Sequence, residues 1–375
     1  MSSPKTSSRF RFTGAALLLT VLVFLIPALR NGDPSLYLLA VLVPCALFLC
    51  CTVLARMFSL DRILLVLSLY LCAVGIAALA QADPRAALAQ ALRCGIALVA
   101  LLAGGILVRS LSPSLLTSGC AAFLGLLLLS ANLLSPSLKQ QMTGPALVLL
   151  LVAFASLFAR QGSVPAALLG CVSLALLLIA GETGFALLWG LAVLLLLFAA
   201  DGRAVVFLPS LAAVILLCFG AFRLFPVQAQ PSSFLDALSV SGAVGSDSLP
   251  EAVASLGTVP LFLRVAGHFG LVFTGLTLLL YLPLSLRGAF VAASSRSRFH
   301  AILAMGAVLL IALRTLAAAL SAFGFSPVPV PDFPFLVLSL PDLCAQLFLV
   351  GLLCGISGRN DADLAEDAHL AMLAK

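Results

Sequence analysis

The sequence predicts an all-α polytopic membrane protein with about 12 transmembrane helices. Hydrophobic residues make up 63% of the 375 residues and charged residues only 9%, and the mean hydropathy is +1.23. A soluble domain of this length carries roughly 25% charged residues. The apolar runs are long and rich in Leu and Ala rather than alternating, which excludes a transmembrane β-barrel.

An apolar run that crosses a bilayer contains ~17–25 residues. Twelve such runs occur, at residues 14–30, 36–55, 63–80, 88–108, 113–134, 143–159, 164–181, 184–200, 204–222, 260–284, 301–322 and 335–356. The seventh and eighth runs are joined only by Glu182-Thr183, so the boundary between them is the least sharply marked.

The basic residues predict the orientation of these runs. Lys5, Arg9 and Arg11 precede the first run and no small-residue cleavage site follows it, so we expect a first span rather than a signal peptide. With the N-terminus inside, 13 of the 20 Lys and Arg fall in cytoplasmic segments. Five are outside and two within spans: Arg30, Arg85, Arg93, Lys139 and Arg223, then Arg264 and Arg314. The excess predicts that both termini are cytoplasmic.

Composition argues against several other chemistries. The net charge of +6 comes from basic residues scattered singly at the ends of apolar runs, so it does not indicate nucleic-acid binding. The ten Cys lie in apolar segments without a CxxC motif, and the three His are far apart. We therefore predict no cofactor, although a divalent cation is compatible with the sequence. The small residues Ala103, Gly104 and Gly105 are predicted to be helix-packing contacts rather than a nucleotide loop.

Two segments between spans differ from the rest of the chain. Residues 225–258 form the one long polar interval, with Asp236, Asp247 and Glu251 among Ser, Gly and Pro. Residues 324–334 contain four prolines around Asp332. Proline this dense favours extended backbone, which at a membrane edge must be buried in protein or line a wet cavity.

Five ionisable residues lie where lipid is expected. Arg264 and His268 share a helix face at i and i+4. Arg314 is ~12 Å and Asp342 ~10 Å from the outer ends of their spans, and Glu182 is at an outer turn. Because all five belong to the outer half of the membrane, they predict an outward-facing polar cavity. The alternatives are a snorkelling arginine at 264, an interior histidine at 268, a structural ion pair at 314 and 342, and a helix cap at 182.

From residue 180 to 358 the chain resembles the SEDS family, the RodA/FtsW group (shape, elongation, division and sporulation proteins). The segment Gly181-Glu182-Thr183-Gly184-Phe185 resembles the family's Pro-Asp-Leu-Gly-Thr turn, and residues 237–245 resemble its Ser-Gly-Gly stretch. Leu249-Pro250-Glu251 is similar to its Leu-Pro-Glu motif, and residues 258–262 fall at its Thr-Asp-Phe-Ile-Phe. More loosely, residues 82–90 resemble the start of an earlier family helix.

The resemblance implies a division of the chain. Residues 1–60 hold a cytoplasmic tail and two extra helices, and residues 61–358 form a ten-helix core. The large extracytoplasmic loop, 225–258, falls between the seventh and eighth core helices, where the family has its own. Residues 359–375 are an acidic cytoplasmic tail.

The chain departs from the family at most signature polar positions. The family's essential Asp aligns with Val259, and its two Glu residues align with Gly267 and His268. Its Gln-Pro-Ser-Glu segment aligns near residues 141–147, with neither the Glu nor the following Lys retained, and its Ser-Tyr-Gly-Gly-Ser segment aligns with residues 337–341.

The resemblance implies a peptidoglycan glycosyltransferase that joins lipid-linked disaccharides and works with a class B penicillin-binding protein. With Val259 unable to act as a base, Glu251 or Asp247 takes that role, and Glu251 is favoured because it lies in the retained motif.

Arg264 and Arg314 are predicted to hold the pyrophosphate. His268, Glu182 and Asp342 complete the predicted substrate site.

Two other functions stay open from the sequence. A catalytically inactive SEDS paralogue would serve as a scaffold for a cell-wall synthase, which the loss of the acid at Val259 favours. A transporter or ligase of lipid-linked oligosaccharides shares twelve spans and a polar outer loop. The absence of Arg and His from residues 225–258 argues against a ligase.

Overall fold

A computed structural model describes residues 4–31, 34–134, 139–224, 242, 245, 260–325 and 330–373. All regular secondary structure in these ranges is helical. The helices are α1 Pro4–Asn31, α2 Pro34–Leu49, α3 Arg62–Ala82, α4 Pro84–Ser110, α5 Leu115–Leu134, α6 Lys139–Gln161, α7 Ser163–Ile179, α8 Thr183–Ala200, α9 Ala204–Leu224, α10 Leu261–Leu279, α11 Tyr281–Ala293, α12 Arg298–Ala322 and α13 Leu340–Leu373. A π-helical turn, Cys50–Leu54, and the short helix Ala55–Met57 continue α2.

The prediction of an all-α membrane protein with about 12 spans is confirmed. Within the described ranges, nine helical stretches are long and apolar enough to cross a membrane. Three shorter apolar helices, Thr13–Leu25, Ser163–Ile179 and Ala204–Gly220, complete the set. Each of the twelve predicted runs coincides with one of these stretches.

Two predicted boundaries differ from the structure. The tenth run extends to Ala293 as two consecutive helices, α10 and α11, over 33 residues. The last run begins at Leu340 rather than at 335, because Phe335 has a φ of 66° and ends any helical path there. Helix α13 then continues to Leu373, through the described part of the predicted acidic tail.

Helix α3 is the centre of the bundle, because 94% of its apolar stretch is buried. Asp61 caps its first turn, accepting a hydrogen bond from the Ile63 N–H at 3.0 Å. The same carboxylate accepts from Arg287 Nε and Nη2 on α11 at 2.9 and 2.6 Å, and from the Ser357 hydroxyl on α13 at 3.1 Å. One buried acid therefore ties three helices together at the end predicted to be cytoplasmic.

Helices α4 and α13 pack backbone against backbone through glycines. A Cβ added to Gly351 would lie 2.0 Å from the Leu101 carbonyl oxygen, and one at Gly355 would lie 2.5 Å from the Gly105 carbonyl oxygen. A Cβ at Gly104 would meet the Phe348 carbonyl oxygen at 2.6 Å. Small residues permit this approach in membranes, where close packing rather than the hydrophobic effect drives helix association. The predicted packing role is confirmed for Gly104 and Gly105, whereas Ala103 is exposed.

We expect Gly351→Ala to destabilise the protein, because its methyl group would collide with main-chain atoms that cannot rotate away. Overpacking of this kind costs about 1–3 kcal/mol. The matched control is Gly95→Ala on α4, where a Cβ meets no atom within 4 Å; there alanine should be neutral or stabilising by up to ~1 kcal/mol. Thermal unfolding of the two purified variants in one detergent measures the difference. Equal midpoints would contradict the packing argument.

Candidate functional site

The polar centre of the bundle is an ion pair between Arg314 on α12 and Asp342 in the first turn of α13. Arg314 Nη1 and Nη2 donate to the two carboxylate oxygens at 2.8 and 2.6 Å. Arg314 Nε donates to the Asp332 carbonyl oxygen at 2.7 Å. The residues are only 7% and 5% exposed. All three guanidinium nitrogens therefore have a partner within the protein, as the structural ion-pair alternative predicts.

A cavity of about 40 Å³ adjoins this pair. It has room for one or two water molecules, and a sugar ring does not fit. Phe185 of α8 places its ring centroid 5.5 Å from the Arg314 guanidinium carbon, a cation–π contact. Gly144 of α6 faces the Asp342 carboxylate, and a Cβ there would lie 2.5 Å from Oδ1. The space left by this glycine is what admits the carboxylate between α6 and α13.

Gln346 is a site residue that the sequence reading missed. It follows Asp342 at i+4 on the same face of α13, and it lines the same cavity. Its Oε1 accepts the Phe335 N–H, which holds Phe335 in its left-handed conformation. Its Nε2 is buried and has no hydrogen-bond partner among the described residues. The sequence pattern that could have predicted this residue is an amide side chain one helical turn after an acid within an apolar run.

Arg264 and His268 form a second polar group on α10, next to a break in that helix. Gly270 has a φ of 75° and a ψ of −177°, so the helical path stops and restarts there. The Leu271 N–H donates instead to the Gly242 carbonyl oxygen of the loop at 3.1 Å. A Cβ on Gly245 would lie 2.1 Å from the His268 carbonyl oxygen, so the loop backbone is in direct contact with this turn of α10.

The two polar groups are separate but structurally linked. The hydrogen-bond partners of Arg314 are Asp342 and the Asp332 carbonyl, and neither Arg264 nor His268 is among them. The link is a stack of Phe262 on Phe333, with ring centroids 3.9 Å apart, one residue from Asp332. His268 is 9% exposed, and Arg264 Nε is buried without a hydrogen-bond partner in the described part of the chain.

Of the remaining predicted site residues, Glu182 lies within the described ranges. Glu182 precedes α8, and its carbonyl accepts the Ala186 N–H at 2.9 Å. Its side chain makes no capping hydrogen bond, so the side-chain cap considered for it does not form. Glu251, Asp247 and Val259 lie outside the described residues. No group of three or more His, Cys, Asp or Glu that suits a metal ion occurs in the described ranges.

Asp332 lies between the membrane-spanning helices α12 and α13. Asp332 is exposed by its accessible area, yet much protein lies near its carboxyl group. Desolvation raises the pKa of the Asp332 carboxyl above its usual value, and Asp342 adds to the rise while Arg314 opposes it.

Comparisons with known proteins place this bundle in a fold class. No protein-family model matches the chain, and no curated protein matches it. Solved structures do match, each with a TM-score of 0.57 over 80% of this chain. One comes from a study of the coordination of polymerization and crosslinking by a peptidoglycan synthase complex, with 20% identity over 98% of that chain. The others are the rod shape determining protein RodA of Thermus thermophilus, with 20% identity, and a mutant of it with 21%, each covered over 97% of its length.

These matches define the molecule as a multi-pass α-helical membrane protein. More particularly, it has the fold of RodA, so the SEDS resemblance found in the sequence is confirmed at the level of the fold. The division into residues 1–60, 61–358 and 359–375 stays a prediction. The roles of the individual site residues also stay predictions.

We expect Asp342→Ala to cost about 3–5 kcal/mol of stability, because it leaves the buried Arg314 charge without its partner. The double variant Arg314→Met with Asp342→Leu removes both charges and keeps the volume, so it should recover most of the loss. Thermal unfolding in detergent, with both variants beside the parent protein, measures this. A double variant no more stable than Asp342→Ala would show that the pair is not the source of the effect.

We expect Gly245→Ala to release the loop from α10, since the added methyl group cannot occupy the space of the His268 carbonyl and the φ of 97° disfavours alanine. The control is Gly275→Ala on α10, where a Cβ meets nothing within 4 Å. The rate of cleavage within residues 225–258 by a protease of broad specificity should rise severalfold in Gly245→Ala alone. Identical rates in the two variants would contradict the contact.

Proposed function

We propose that this chain is a SEDS-type membrane protein of bacterial cell-wall synthesis, and that it polymerises glycan strands from lipid-linked disaccharide. The observation that carries the proposal is the fold match to RodA, which extends over 80% of this chain and 97% of that one. The polar segments that resemble family motifs in the sequence support it independently, since the fold comparison does not depend on them.

Glycosyl transfer from a lipid pyrophosphate needs a base at the acceptor hydroxyl and cations at the leaving group. We assign the base to Glu251, with Asp247 as the alternative. Arg264 is the better cation for the pyrophosphate, because its Nε has no hydrogen-bond partner among the described residues whereas Arg314 is bound to Asp342. His268 lies on the same face of α10 and completes this binding group.

In this assignment Arg314 and Asp342 act on the substrate indirectly. Arg314 holds the Asp332 carbonyl, and the adjacent Phe333 stacks on Phe262, two residues before Arg264. The pair therefore positions the segment against which the outer end of α10 rests. Glu182 contributes at the start of α8, three residues before the ring of Phe185 that contacts Arg314.

We also propose that the partner is a class B penicillin-binding protein transpeptidase in the bacterial inner membrane. One structural neighbour comes from a peptidoglycan synthase complex that coordinates polymerization with crosslinking, which supports such a partner. The charge distribution supports an orientation with both termini in the cytoplasm, which would place residues 225–258 and the Arg264 group outside.

The test is glycan polymerisation by the purified chain, together with the transpeptidase, in vesicles that contain lipid-linked disaccharide. Glu251→Ala should lower the rate at least ~100-fold, the usual contribution of a general base. Arg264→Gln should lower it by a comparable factor through loss of charge at the leaving group. Glu366→Gln, in the predicted cytoplasmic tail, is the matched control and should leave the rate unchanged. Unchanged polymerisation by Glu251→Ala would remove Glu251 from the mechanism.

A catalytically inactive scaffold is the second candidate, favoured by Val259 at the position of the family's essential acid. It predicts that the native protein gives no polymer in the same assay but still co-purifies with the transpeptidase. Under that function Val259→Asp is the variant expected to gain activity. Polymer formed by the native chain would exclude the scaffold.

A further inference from the structure

An open groove of about 210 Å³ lies between α8, α11 and α12, at the end of the bundle predicted to be cytoplasmic. Its deeper walls are Leu196, Ile302 and Met305, and Ala293 and Ala301 keep it wide. One charged residue, Arg298, lines it. The groove lies at the opposite predicted membrane depth from the polar groups used in the proposed function, although it shares α8 and α12 with them.

The Arg298 guanidinium is fixed at the mouth of the groove. Nη2 donates to the Ala200 carbonyl oxygen at 3.2 Å, at the C-terminus of α8. The guanidinium carbon lies 4.8 Å from the ring centroid of Phe158. A cap on a helix C-terminus is a sufficient structural role for an arginine. However, the hydrogen bond to Ala200 uses only one of the five N–H donors of Arg298. Because Arg298 is exposed, its guanidinium group remains accessible to a ligand.

The groove has a charged end and an apolar end along α12. Arg298 and Met305 are seven residues apart, which is ~10 Å along the helix. The positive charge is therefore at the end of the span, and the apolar wall extends from it into the depth of the membrane. A transmembrane helix of a partner needs ~30 Å of contact to span the bilayer, which this groove does not offer. A free phosphate would leave the apolar wall uncovered.

We propose that this groove binds an anionic phospholipid, with the phosphate on Arg298 and one acyl chain between Leu196, Ile302 and Met305. The headgroup supplies acceptors for the unused N–H donors, and the chain covers apolar surface that α8, α11 and α12 leave open. Fixing the guanidinium by Ala200 and Phe158 lowers the entropy lost when the phosphate binds. The site is independent of whether the chain polymerises glycan.

The test is native mass spectrometry of the delipidated full-length protein in detergent. Dioleoyl phosphatidylglycerol is compared with dioleoyl phosphatidylcholine, which has the same chains without net charge. Soluble sn-glycerol 3-phosphate separates the phosphate from the lipid. Arg298→Gln is compared with Arg56→Gln, an exposed arginine of the short helix Ala55–Met57, which does not line the groove. Ala301→Leu narrows the groove without changing charge.

We expect the native chain to bind phosphatidylglycerol about fivefold more tightly than phosphatidylcholine, the effect of one basic residue at an anionic surface. Arg298→Gln should abolish that preference, Arg56→Gln should retain it, and Ala301→Leu should weaken both lipids. Equal preference in the two arginine variants would overturn the proposal, as would binding of sn-glycerol 3-phosphate as tight as that of the lipid. If Arg298→Gln does not fold, the variants Arg298→Lys and Ala301→Leu provide the test. Arg298→Lys should retain the preference for phosphatidylglycerol, because it keeps the positive charge. Lipid binding that is unchanged in Ala301→Leu would overturn the proposal that the acyl chain lies in the groove.

Discussion

The contact between the backbones of α4 and α13 is the constraint on which the rest of the structure depends. Gly104, Gly351 and Gly355 bring main-chain atoms of the two helices into direct contact, so neither helix can slide or rotate without a clash. Helix α13 carries Asp342 in its first turn and Gln346 in its second. Their fixed position determines where the carboxylate meets Arg314 and where the amide meets Phe335. The polar centre is thus held in place by close packing of glycines on two neighbouring helices.

Charge inside an apolar bundle is costly, and the structure meets that cost differently in its two polar groups. At Arg314 the charge is matched by a carboxylate, a carbonyl and an aromatic ring, which leaves no donor nitrogen without a protein partner. At Arg264, by contrast, Nε has no hydrogen-bond partner among the described residues. A fully matched cation stabilises one arrangement of helices, whereas an incompletely matched one retains the capacity to bind an anion. This difference could not be predicted from the sequence, which places both arginines in the outer half of the membrane.

The sequence predicted the helices well and the site in part, for physical reasons. Apolar runs and basic residues report the membrane boundaries directly, so twelve runs corresponded to twelve helical stretches. The ion pair between Arg314 and Asp342 was one of the alternatives that the sequence left open, because an isolated charge in the membrane is costly. Gln346 was not predicted, because the argument for site residues relied on charged side chains in apolar runs and an amide carries no charge. The break at Gly270 was not predicted, because a single glycine among apolar residues is compatible with a continuous helix. Its φ of 75° and the hydrogen bond from the Leu271 N–H to the Gly242 carbonyl oxygen reveal it.

The interruption at Gly270 also changes how force passes along α10. In a continuous helix, hydrogen bonds four residues apart make the two ends move as one rod. Here the Leu271 N–H bonds to Gly242 instead, so the restraint across the joint is supplied by a distant segment of the chain. The segments of α10 before and after Gly270 are therefore connected by a joint rather than by continuous helix. Arg264 and His268 lie on the outer segment. Force applied to residues 225–258 would therefore act directly on the joint at Gly270, before the membrane-embedded helices bend.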